Sequence, residues 1–376
     1  MDWRVPLADL DYDDQEKEAV RNVIESKWLT MGAVTQQFEA QFAAFVKCRH
    51  AIAVSNATQA LHLACLSLDI GPGDEVIVPS LSFVATANAV LYCGADVRFA
   101  DINSMENLTI SPQSILENIT PKTKAIIVMH YAGYPCQMPE IMQIAKEHNL
   151  ALIEDAAHAP GASLDGKPLG TWGDVGCFSF FSNKNLSTGE GGMITTNRDD
   201  IAEKVKLQRS HGMTSLTYDR HKGHAFSYDV VDLGYNYRID EIRSALGIEQ
   251  LKKLPKNNIR RGELTKMYWQ GLASTDIGLP FSKMVQGRSS YHVFPVVLPG
   301  GSDRHAFMVG LRGAGIQSSI HYRPIHTFTY YQKKYGKINL PITEQVGQRE
   351  VTLPLYPTMG DEKMNLVVSQ VKKLLS

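Results

Sequence analysis

The sequence contains 376 residues, of which 44% are hydrophobic and 20% are charged, a balance typical of a globular protein with a large core. Lysine and arginine (38) nearly match aspartate and glutamate (39), so the overall charge excludes a general attraction to nucleic acid or an anionic membrane. The N-terminal segment has no apolar signal core, and no later apolar run approaches the ~18 residues of a membrane span. These properties predict a cytoplasmic protein without nucleic-acid or membrane partners, in which any phosphate is bound locally.

The cysteines are odd in number, widely spaced and mostly flanked by apolar residues, which favours buried core thiols over disulfides or a metal cluster. They are Cys48, Cys65, Cys93, Cys136 and Cys177.

Two helices are predicted at the start of the chain, the first from about Asp14 to Trp28 and the second with Phe38, Phe42 and Phe45 on one face. Short, continuously apolar strands then alternate with helices up to the segment LALIEDA, residues 150–156. This alternation predicts a mainly parallel sheet covered by helices on both faces. Ligands of such sheets bind beyond the carboxyl ends of the strands.

The later chain predicts a helix from Asn197 to about Ser210, followed by a polar and basic stretch, residues 211–240, without a clear period. A loop this long inside a compact domain is typical of a functional loop or a lid. A helix from Glu241 to Pro255 is expected to resume as a second helix ending near Leu272. A small C-terminal α/β unit follows, with strands at 291–298 and 316–322, a helix at 303–315 between them, then a loop and a final helix at 361–375.

The most informative stretch surrounds Lys184, between an aromatic-rich strand, Cys177 to Phe181, and a glycine-rich turn. The lysine is either a solvated loop residue or a catalytic group. The second interpretation draws on Glu190 in the turn, on Ser179 in the strand and on the acidic strand end of LALIEDA. A lysine, a carboxylate at a strand end and hydroxyls from separate loops suit pyridoxal phosphate, which is held as a Schiff base and acts as an electron sink.

Two further segments have two interpretations each. In SNATQAL, residues 55–61, a strand ends and a helix begins, so its free amides either bind phosphate or are simply capped by Ser55 or Asn56. Phe83, shortly after a strand end, either belongs to the core or stacks on an aromatic ligand.

Glu154 and Asp155 end an apolar strand, where a carboxylate is costly unless it is paired. A pyridinium N–H is a suitable partner, and a structural salt bridge or a metal ion are the alternatives. The metal is disfavoured, because only His158 follows at a ligand spacing. His158 is either a structural histidine or a contact to the 3-oxygen of the cofactor.

These segments together resemble the DegT/StrS group of pyridoxal phosphate dependent (nucleotide-)sugar aminotransferases, which share the aspartate aminotransferase fold, fold type I. The resemblance is carried by SNAT, PSLSFVAT, EDAAHAPGA, SFFSNKNLSTGEGG and GYNYRIDE, in this order along the chain. It implies an N-terminal segment (1–30), a large cofactor-binding α/β domain (31–245) with a mainly parallel central sheet flanked by helices, and a smaller C-terminal α/β domain (246–376).

The resemblance also implies the roles of the cofactor-binding residues. Lys184 would carry the internal aldimine and shuttle protons, Asp155 would pair with the pyridine nitrogen, and Phe83 would stack on the ring. His158, where many relatives have glutamine, would contact the 3-oxygen, and as a histidine it could titrate near neutral pH.

The phosphate of the cofactor would be held by Ala57, Thr58 and Ser179, where many relatives have SGT in place of Asn56-Ala57-Thr58. Asn236 matches a residue that reaches the phosphate of the neighbouring subunit, which implies a homodimer with shared active sites.

Two segments are candidates for substrate binding. The segment HYRPIH, with His321, Tyr322 and His326, resembles the substrate side of the family. The basic run of Arg220, His221 and Lys222 is either a clamp for a diphosphate or a solvated patch.

The activity implied is a ping-pong transfer of an amino group from L-glutamate, through pyridoxal and pyridoxamine phosphate (PLP and PMP), to a keto-sugar. The acceptor would be a nucleoside-diphosphate-linked 3- or 4-keto-(deoxy)sugar, in amino-sugar biosynthesis for a polysaccharide or an antibiotic. Alternatives are a cyclitol aminotransferase, a sugar dehydratase or a non-catalytic regulator of the same fold. Dehydratases of the family replace the lysine by histidine, whereas Lys184 is present here. A plain dinucleotide-binding protein would show G-x-G-x-x-G after the first strand, where this chain has SNATQAL.

Overall fold

The computed structural model describes residues 3–214, 227–283 and 287–375. The helices within these ranges, in chain order, are α1 (Asp14–Ser26), α2 (Ala33–Val46), α3 (Ala57–Ser67), α4 (Ala85–Tyr92), α5 (Pro112–Asn118), α6 (Met138–Glu147), α7 (Asp199–Arg209), α8 (Glu241–Leu272), α9 (Arg304–Gly313), α10 (Thr329–Tyr335), α11 (Pro341–Arg349) and α12 (Asp361–Leu375). The strands are β1 (His50–Val54), β2 (Glu75–Pro79), β3 (Asp96–Ala100), β4 (Thr123–Met129), β5 (Ala151–Asp155), β6 (Ser163–Leu164), β7 (Lys167–Pro168), β8 (Val175–Ser179), β9 (Gly192–Thr196), β10 (Phe294–Val297) and β11 (Glu350–Leu353). Short 3₁₀ turns lie at Tyr131–Gly133 and Ile325–Thr327.

The central sheet has seven strands in the order β1-β9-β8-β5-β4-β2-β3. The five strands from β8 to β3 are mutually parallel, and β9 runs antiparallel to both β8 and β1. The predicted, mainly parallel α/β sheet is therefore confirmed. Because β1 and the parallel strands all point the same way, their carboxyl ends meet at one edge, where Asp155 and Ser179 end their strands.

Helices cover both faces of this sheet, because successive residues of a strand point to opposite sides. In β4, Ile126 and Val128 join the apolar cluster that α2, α6 and α8 complete, whereas Ala125 and Ile127 join the cluster of α3, α4 and α7. The apolar runs of the sequence thus correspond to strands buried on both faces.

A third apolar cluster forms around the C-terminal unit. It combines the end of α8 with β10, β11, α9 and α12, and it includes Val5 from the N-terminal segment. The start of α8, with Leu251 and Leu254, packs in a sheet cluster, so this one helix joins both units. The division of the chain after residues 30 and 245 stays a prediction.

The predicted break at Pro255 is wrong, since α8 runs uninterrupted through this proline and has 32 residues in all. Pro255 faces solvent, while Leu251, Leu254 and Asn258 around it are buried. The cost of a proline inside a helix, about 3 kcal/mol, is offset by packing on both sides of it.

The predicted strand at 316–322 is also absent from the described structure, and its residues form only isolated bridges, Val5 to Ile316 and Ser319 to Thr352. The backbone N–H of His321 donates to the carboxylate of Glu350 instead of to a strand partner. The region predicted as a loop after it contains α10, α11 and β11.

Among the described residues, no helix combines the length and the apolar character needed to cross a membrane.

Candidate active site

A cavity of about 400 Å³ opens at the carboxyl edge of the sheet, a size typical of small-molecule sites. Residues from the ends of β1, β5 and β8 line it together with the segment after α9. The predicted site residues that the structure brings together here are Ala57, Thr58, Phe83, Asp155, His158, Ser179, Lys184, His321 and Tyr322.

Lys184 lies in the loop between β8 and β9, where its backbone N–H donates to the carbonyl of Phe181 at 2.8 Å. Burial of the amine lowers the pKa of Lys184 to about 8, although the nearby charge of Asp155 opposes this shift. A much larger fraction of the amine is therefore neutral at neutral pH than for an exposed lysine, and a neutral amine is a nucleophile and a base.

Asp155 has only two donors among the described residues. The hydroxyl of Thr86 donates to Oδ2 at 2.7 Å, and the backbone N–H of Ala157 donates to Oδ1 at 3.2 Å. Burial raises the pKa of Asp155, while these hydrogen bonds and the charge of Lys184 act in the opposite direction. The carboxylate thus lines the cavity with room for a further donor.

Glu154, the other carboxylate of the pair, points away from the cavity and is fully buried. Backbone N–H groups of Gly170, Trp172 and Gly173 donate to it at 2.6–2.8 Å, and His130 donates from Nε2 at 2.9 Å. Glu154 therefore realises the structural alternative considered for this pair, with His130 and the loop amides as its partners.

The tautomer of His158 follows from its partners. The backbone N–H of Ala132 donates to Nδ1 at 3.3 Å, so Nε2 carries the hydrogen and donates to the hydroxyl of Tyr322 at 2.8 Å. Burial, followed by the charge of Lys184, lowers the pKa of His158 well below its ordinary value. The expectation that this histidine titrates near neutral pH is therefore wrong, because the imidazole is held neutral.

The start of α3 also lines the cavity. The side chain of Asn56 accepts from the backbone N–H of Gln59 at 3.0 Å and caps the helix. The cap leaves the amides of the first two helical residues, Ala57 and Thr58, without an intrahelical acceptor beside the cavity. Both alternatives for SNATQAL, capping and free amides, are compatible with this geometry.

Ser179 is brought beside this helix start through Gly192, which pairs with Val54 of β1 and with Ser179 of β8. A Cβ at residue 192 would lie 2.6 Å from the carbonyl carbon of Asn56. Only glycine allows this close approach of the two strand ends.

Phe83 is 56% exposed, so of its two interpretations the one that places it in the core is wrong. Its ring faces the cavity and lies 6.0 Å from the ring of Tyr322, between ring centroids. The position suits a ring that stacks on a ligand.

The other predicted site residues lie elsewhere. His326 does not line the cavity, because its imidazole is buried between Ser80 and Glu344, with contacts of 2.6 and 3.3 Å. Asn236 is exposed, outside the cavity of its own subunit, in a bridge with Ser210. The three residues of the basic run, Arg220, His221 and Lys222, lie outside the described residues.

The sequence analysis missed two cavity neighbours. The Nε2 atom of His292 lies 3.4 Å from Lys184 Nζ, although the two residues are 108 positions apart and His292 sits in a segment predicted only as a core strand. Asn183, beside the lysine, lines the cavity, and its buried Oδ1 has no hydrogen-bond partner among the described residues. The only feature of the sequence that could have indicated Asn183 as a cavity residue is its position next to Lys184.

These groups fit pyridoxal phosphate. The cavity combines an amine of lowered pKa, a buried carboxyl with room for another donor, and an exposed aromatic ring. It also has a serine hydroxyl beside the free amides of a helix start, a combination that binds phosphate.

Comparisons with known proteins agree with this chemistry. Residues 10–372 match the model of the DegT/DnrJ/EryC1/StrS aminotransferase family. The spore coat polysaccharide biosynthesis protein SpsC of Bacillus subtilis (strain 168) is 36% identical over 370 residues, which cover 96% of this chain and 94% of that protein.

Solved structures are similar over nearly the whole chain. PseC of Helicobacter pylori, an aminotransferase involved in the biosynthesis of pseudoaminic acid, has a TM-score of 0.92 and 30% identity, covering 99% of each chain. The PLP-form of Spr1654 from Streptococcus pneumoniae has a TM-score of 0.91 and 27% identity, covering 99% of this chain and 100% of that chain.

Proposed function

This chain belongs to the DegT/DnrJ/EryC1/StrS aminotransferase family and is a PLP-dependent sugar aminotransferase, and on this premise we propose that it moves the amino group of L-glutamate to a nucleoside-diphosphate-linked 3- or 4-keto-(deoxy)sugar. The observation that carries the proposal is the buried amine of Lys184, with its pKa lowered to about 8, in one cavity with Asp155. An amine in this state serves both as a nucleophile and as a proton carrier at neutral pH.

When bound, PLP supplies an electrophilic carbon that bonds amines and a ring that accepts the electrons left when a substrate C–H bond breaks. Lys184 would hold the cofactor covalently at rest. Its freed, neutral Nζ would take a proton from the substrate carbon and later return a proton, which is general acid–base work by one residue. Over the two half-reactions the amino group of glutamate would pass to the keto-sugar, so that glutamate and ketone become 2-oxoglutarate and an amino sugar.

The remaining cavity residues bind and orient. Asp155 would accept a hydrogen bond from the protonated pyridine nitrogen and stabilise its positive charge. Phe83 would stack on the ring. Tyr322 would donate its hydroxyl hydrogen toward the ring oxygen, because the neutral imidazole of His158 donates its own hydrogen to Tyr322 and leaves the tyrosine hydrogen free for another acceptor.

The phosphate would be held by Ser179 and by the amides of Ala57 and Thr58, where the positive end of the α3 dipole adds to the attraction. The exposed Asn236 would reach the phosphate of a second subunit in a homodimer. His321 lines the substrate side of the cavity.

The proposal for the acceptor is supported by the family and by charge. SpsC and PseC are named for the biosynthesis of a polysaccharide and of pseudoaminic acid. The basic run of Arg220, His221 and Lys222 offers the cations that a diphosphate needs in a chain with a formal net charge of −1.

The test begins with the absorption spectrum of the holoenzyme before and after L-glutamate is added alone. We expect the visible band of lysine-bound cofactor to disappear and the ultraviolet band of its amino form to appear, with one equivalent of 2-oxoglutarate released. Lys184→Ala is the matched control, in which cofactor is retained non-covalently and glutamate produces no conversion. A visible band that ignores glutamate but responds to another amino acid would refute glutamate as donor.

The glutamate-treated protein is then mixed with nucleoside-diphosphate-linked 3-keto and 4-keto sugars and with the same sugars lacking the nucleotide. Mass spectrometry should find an amino sugar only for a nucleotide-linked ketone. Equal conversion of the free keto-sugars, or of a keto-cyclitol, would refute the nucleotide part of the proposal.

A further inference from the structure

We propose that His292 is a positioning residue for Lys184. Its neutral imidazole accepts a hydrogen bond from the lysine amine through Nε2 and so holds the freed amine in the cavity. The inference rests on the proposed role of Lys184 and deepens it. Four observations carry it: a contact, an amide orientation, a tautomer and the neutrality of the ring.

The contact joins a half-buried lysine and a buried histidine from distant parts of the chain. Lys184 Nζ lies 3.4 Å from His292 Nε2, and His292 is only 3% exposed. The lysine nitrogen donates a hydrogen bond to His292 if Nε2 presents its lone pair, so the tautomer of the ring decides the direction of this contact.

The orientation of the Asn185 amide decides which nitrogen of His292 carries the hydrogen. Asn185 Nδ2 contacts the backbone carbonyl of Ser290 at 2.7 Å and Asn258 Oδ1 at 2.8 Å. A backbone carbonyl only accepts, so the amide nitrogen must lie on this side. Asn258 is oriented in turn, because its own Nδ2 donates to the carbonyl of Pro160 at 2.9 Å.

The tautomer of His292 follows from this orientation. The Oδ1 of Asn185 lies 2.9 Å from His292 Nδ1 and can only accept, so Nδ1 carries the hydrogen. The lone pair of the neutral ring is therefore on Nε2, facing Lys184. His158, whose ring centroid is 4.3 Å away, has the opposite tautomer, with its hydrogen on Nε2.

The surroundings keep His292 neutral. Burial is the largest cause that lowers the pKa of His292 well below its ordinary value, and any positive charge carried by a neighbouring group acts in the same direction. These groups are His158, Lys184, Arg261 and His321. Arg261 is fixed against the same segment, where its guanidinium donates to the backbone carbonyls of His292 and Leu355 at 3.2 and 2.8 Å.

Such an acceptor has two effects on the lysine. It restrains a flexible four-carbon side chain each time the cofactor releases it, so less reorganisation is needed before the next proton transfer. It also stabilises the protonated amine, because a lone pair on Nε2 attracts an ammonium more than a neutral amine. Without His292, the pKa of Lys184 should therefore fall further below about 8.

The test measures Lys184 in the cofactor-free, full-length protein, so its readout does not depend on turnover. The rate of acetylation of Lys184 by limiting acetic anhydride is followed from pH 6 to 11 by mass spectrometry, against a free peptide as internal standard. For the wild-type protein we expect an apparent pKa near 8.

Two variants separate the contacts of His292. His292→Asn keeps a donor for Asn185 and removes the acceptor for Lys184, so the apparent pKa of Lys184 should fall by about 0.5 to 1 unit. His292→Gln keeps an acceptor near the position of Nε2 and loses the hydrogen bond to Asn185. The apparent pKa of Lys184 in this variant should therefore stay close to the wild-type value. In the holoenzyme, His292→Asn should lower kcat about 10-fold with KM for glutamate little changed, a scale typical of groups that orient a reacting residue.

An unchanged pKa of Lys184 in His292→Asn, or a larger loss in His292→Gln than in His292→Asn, would overturn the inference. A measurement on the wild-type protein does not require that the variants fold. The ¹⁵N chemical shifts of labelled histidine in the cofactor-free protein should show a neutral ring for His292 with the hydrogen on Nδ1, and either an imidazolium or the opposite tautomer would contradict it. A wrong donor or acceptor in the proposed function would change the glutamate and sugar experiments and leave both of these measurements as they are.

Discussion

Glu154 and Asp155 are neighbours at the end of β5, yet their environments differ. Glu154 points into the protein and accepts four hydrogen bonds from N–H groups, three of them from the backbone of residues 170–173. Asp155 lines the cavity and accepts two, from Thr86 and Ala157. Consecutive residues of a strand point to opposite faces, so one position fixes a loop and the next faces a ligand.

The number of hydrogen-bond donors, and not burial, distinguishes the two carboxyls, since both side chains are almost inaccessible, at 0% and 4% exposure. A buried carboxylate with all its acceptor sites used is a structural element. One with sites left over at a cavity wall is where a cationic or N–H ligand binds. The comparison therefore predicts that mutations at the two positions separate stability from catalysis.

The largest effect is expected for Glu154→Ala. Removal of the carboxylate leaves His130 and three backbone amides buried without a partner, which should lower the free energy of unfolding by about 3–5 kcal/mol. Urea denaturation of the cofactor-free protein measures the loss. Glu154→Gln is the control, because it retains one acceptor oxygen and should lose less. A loss below about 1 kcal/mol in Glu154→Ala would show that these donors find other partners.

The next effect, Asp155→Asn, should fall on catalysis. The amide removes the negative charge that stabilises a protonated ring nitrogen, so the rate of the glutamate half-reaction should drop about 10²- to 10³-fold, the scale of losing one preorganised charged group in a buried site. Stability should be unchanged or higher, because burial opposes the charged form of Asp155. Stopped-flow absorbance and urea denaturation measure the two quantities.

The matched control for Asp155→Asn is Asp155→Glu, which keeps the charge and should keep more of the rate. A half-reaction in Asp155→Asn as fast as in the wild-type protein would remove Asp155 from the site. A large loss of stability without a loss of rate would give it the role assigned to Glu154.

The sequence predicted much of this arrangement, because local patterns of apolar residues indicate the helices and strands. Continuous apolar strands between helices indicated a parallel sheet, and parallel strands bring their carboxyl ends to one edge, so Asp155 and Ser179 were expected together. The same local logic failed at Pro255, since the packing that keeps α8 continuous comes from residues distant in sequence.

The parts of the cavity that the sequence did not predict are contacts between distant segments. Thr86 donates to Asp155 across 69 positions, and His292 approaches Lys184 across 108. Thr86 ends the segment PSLSFVAT, but no role was assigned to it there, and His292 lies in none of the segments that carry the resemblance. The strand-end pattern alone did not separate Glu154 from Asp155, and the sequence assigned the ligand role to Asp155 only through the resemblance. The tertiary donors now give the physical reason for the difference. His326 shows the converse, a residue in a recognisable segment that the fold buries against Glu344 outside the cavity.

A third buried carboxyl, Glu350 in β11, extends the comparison to pH. It has two donors, the backbone N–H of His321 at 2.8 Å and the hydroxyl of Thr352 at 2.5 Å, but it does not line the cavity. Burial raises its pKa from 4.5 to about 8. The folded protein therefore retains a proton between these two pH values that the unfolded chain has already released.

The free energy of unfolding should accordingly fall as pH rises from about 4.5 to about 8, and Glu350→Gln should remove this contribution. The amide mimics the protonated acid, because its oxygen accepts from the His321 N–H and its NH2 group donates to the Thr352 hydroxyl, which then accepts instead of donating. The free energy of unfolding of Glu350→Gln should exceed that of the wild-type protein by an amount that grows with pH. This advantage should rise from near zero at the acid end of the range to on the order of 2–3 kcal/mol at pH 7. Urea denaturation of both proteins at several pH values measures the difference. An advantage that is constant across the range would mean that two donors suffice to keep this carboxyl charged, and donor number would then no longer explain why Asp155, rather than Glu154, faces a ligand.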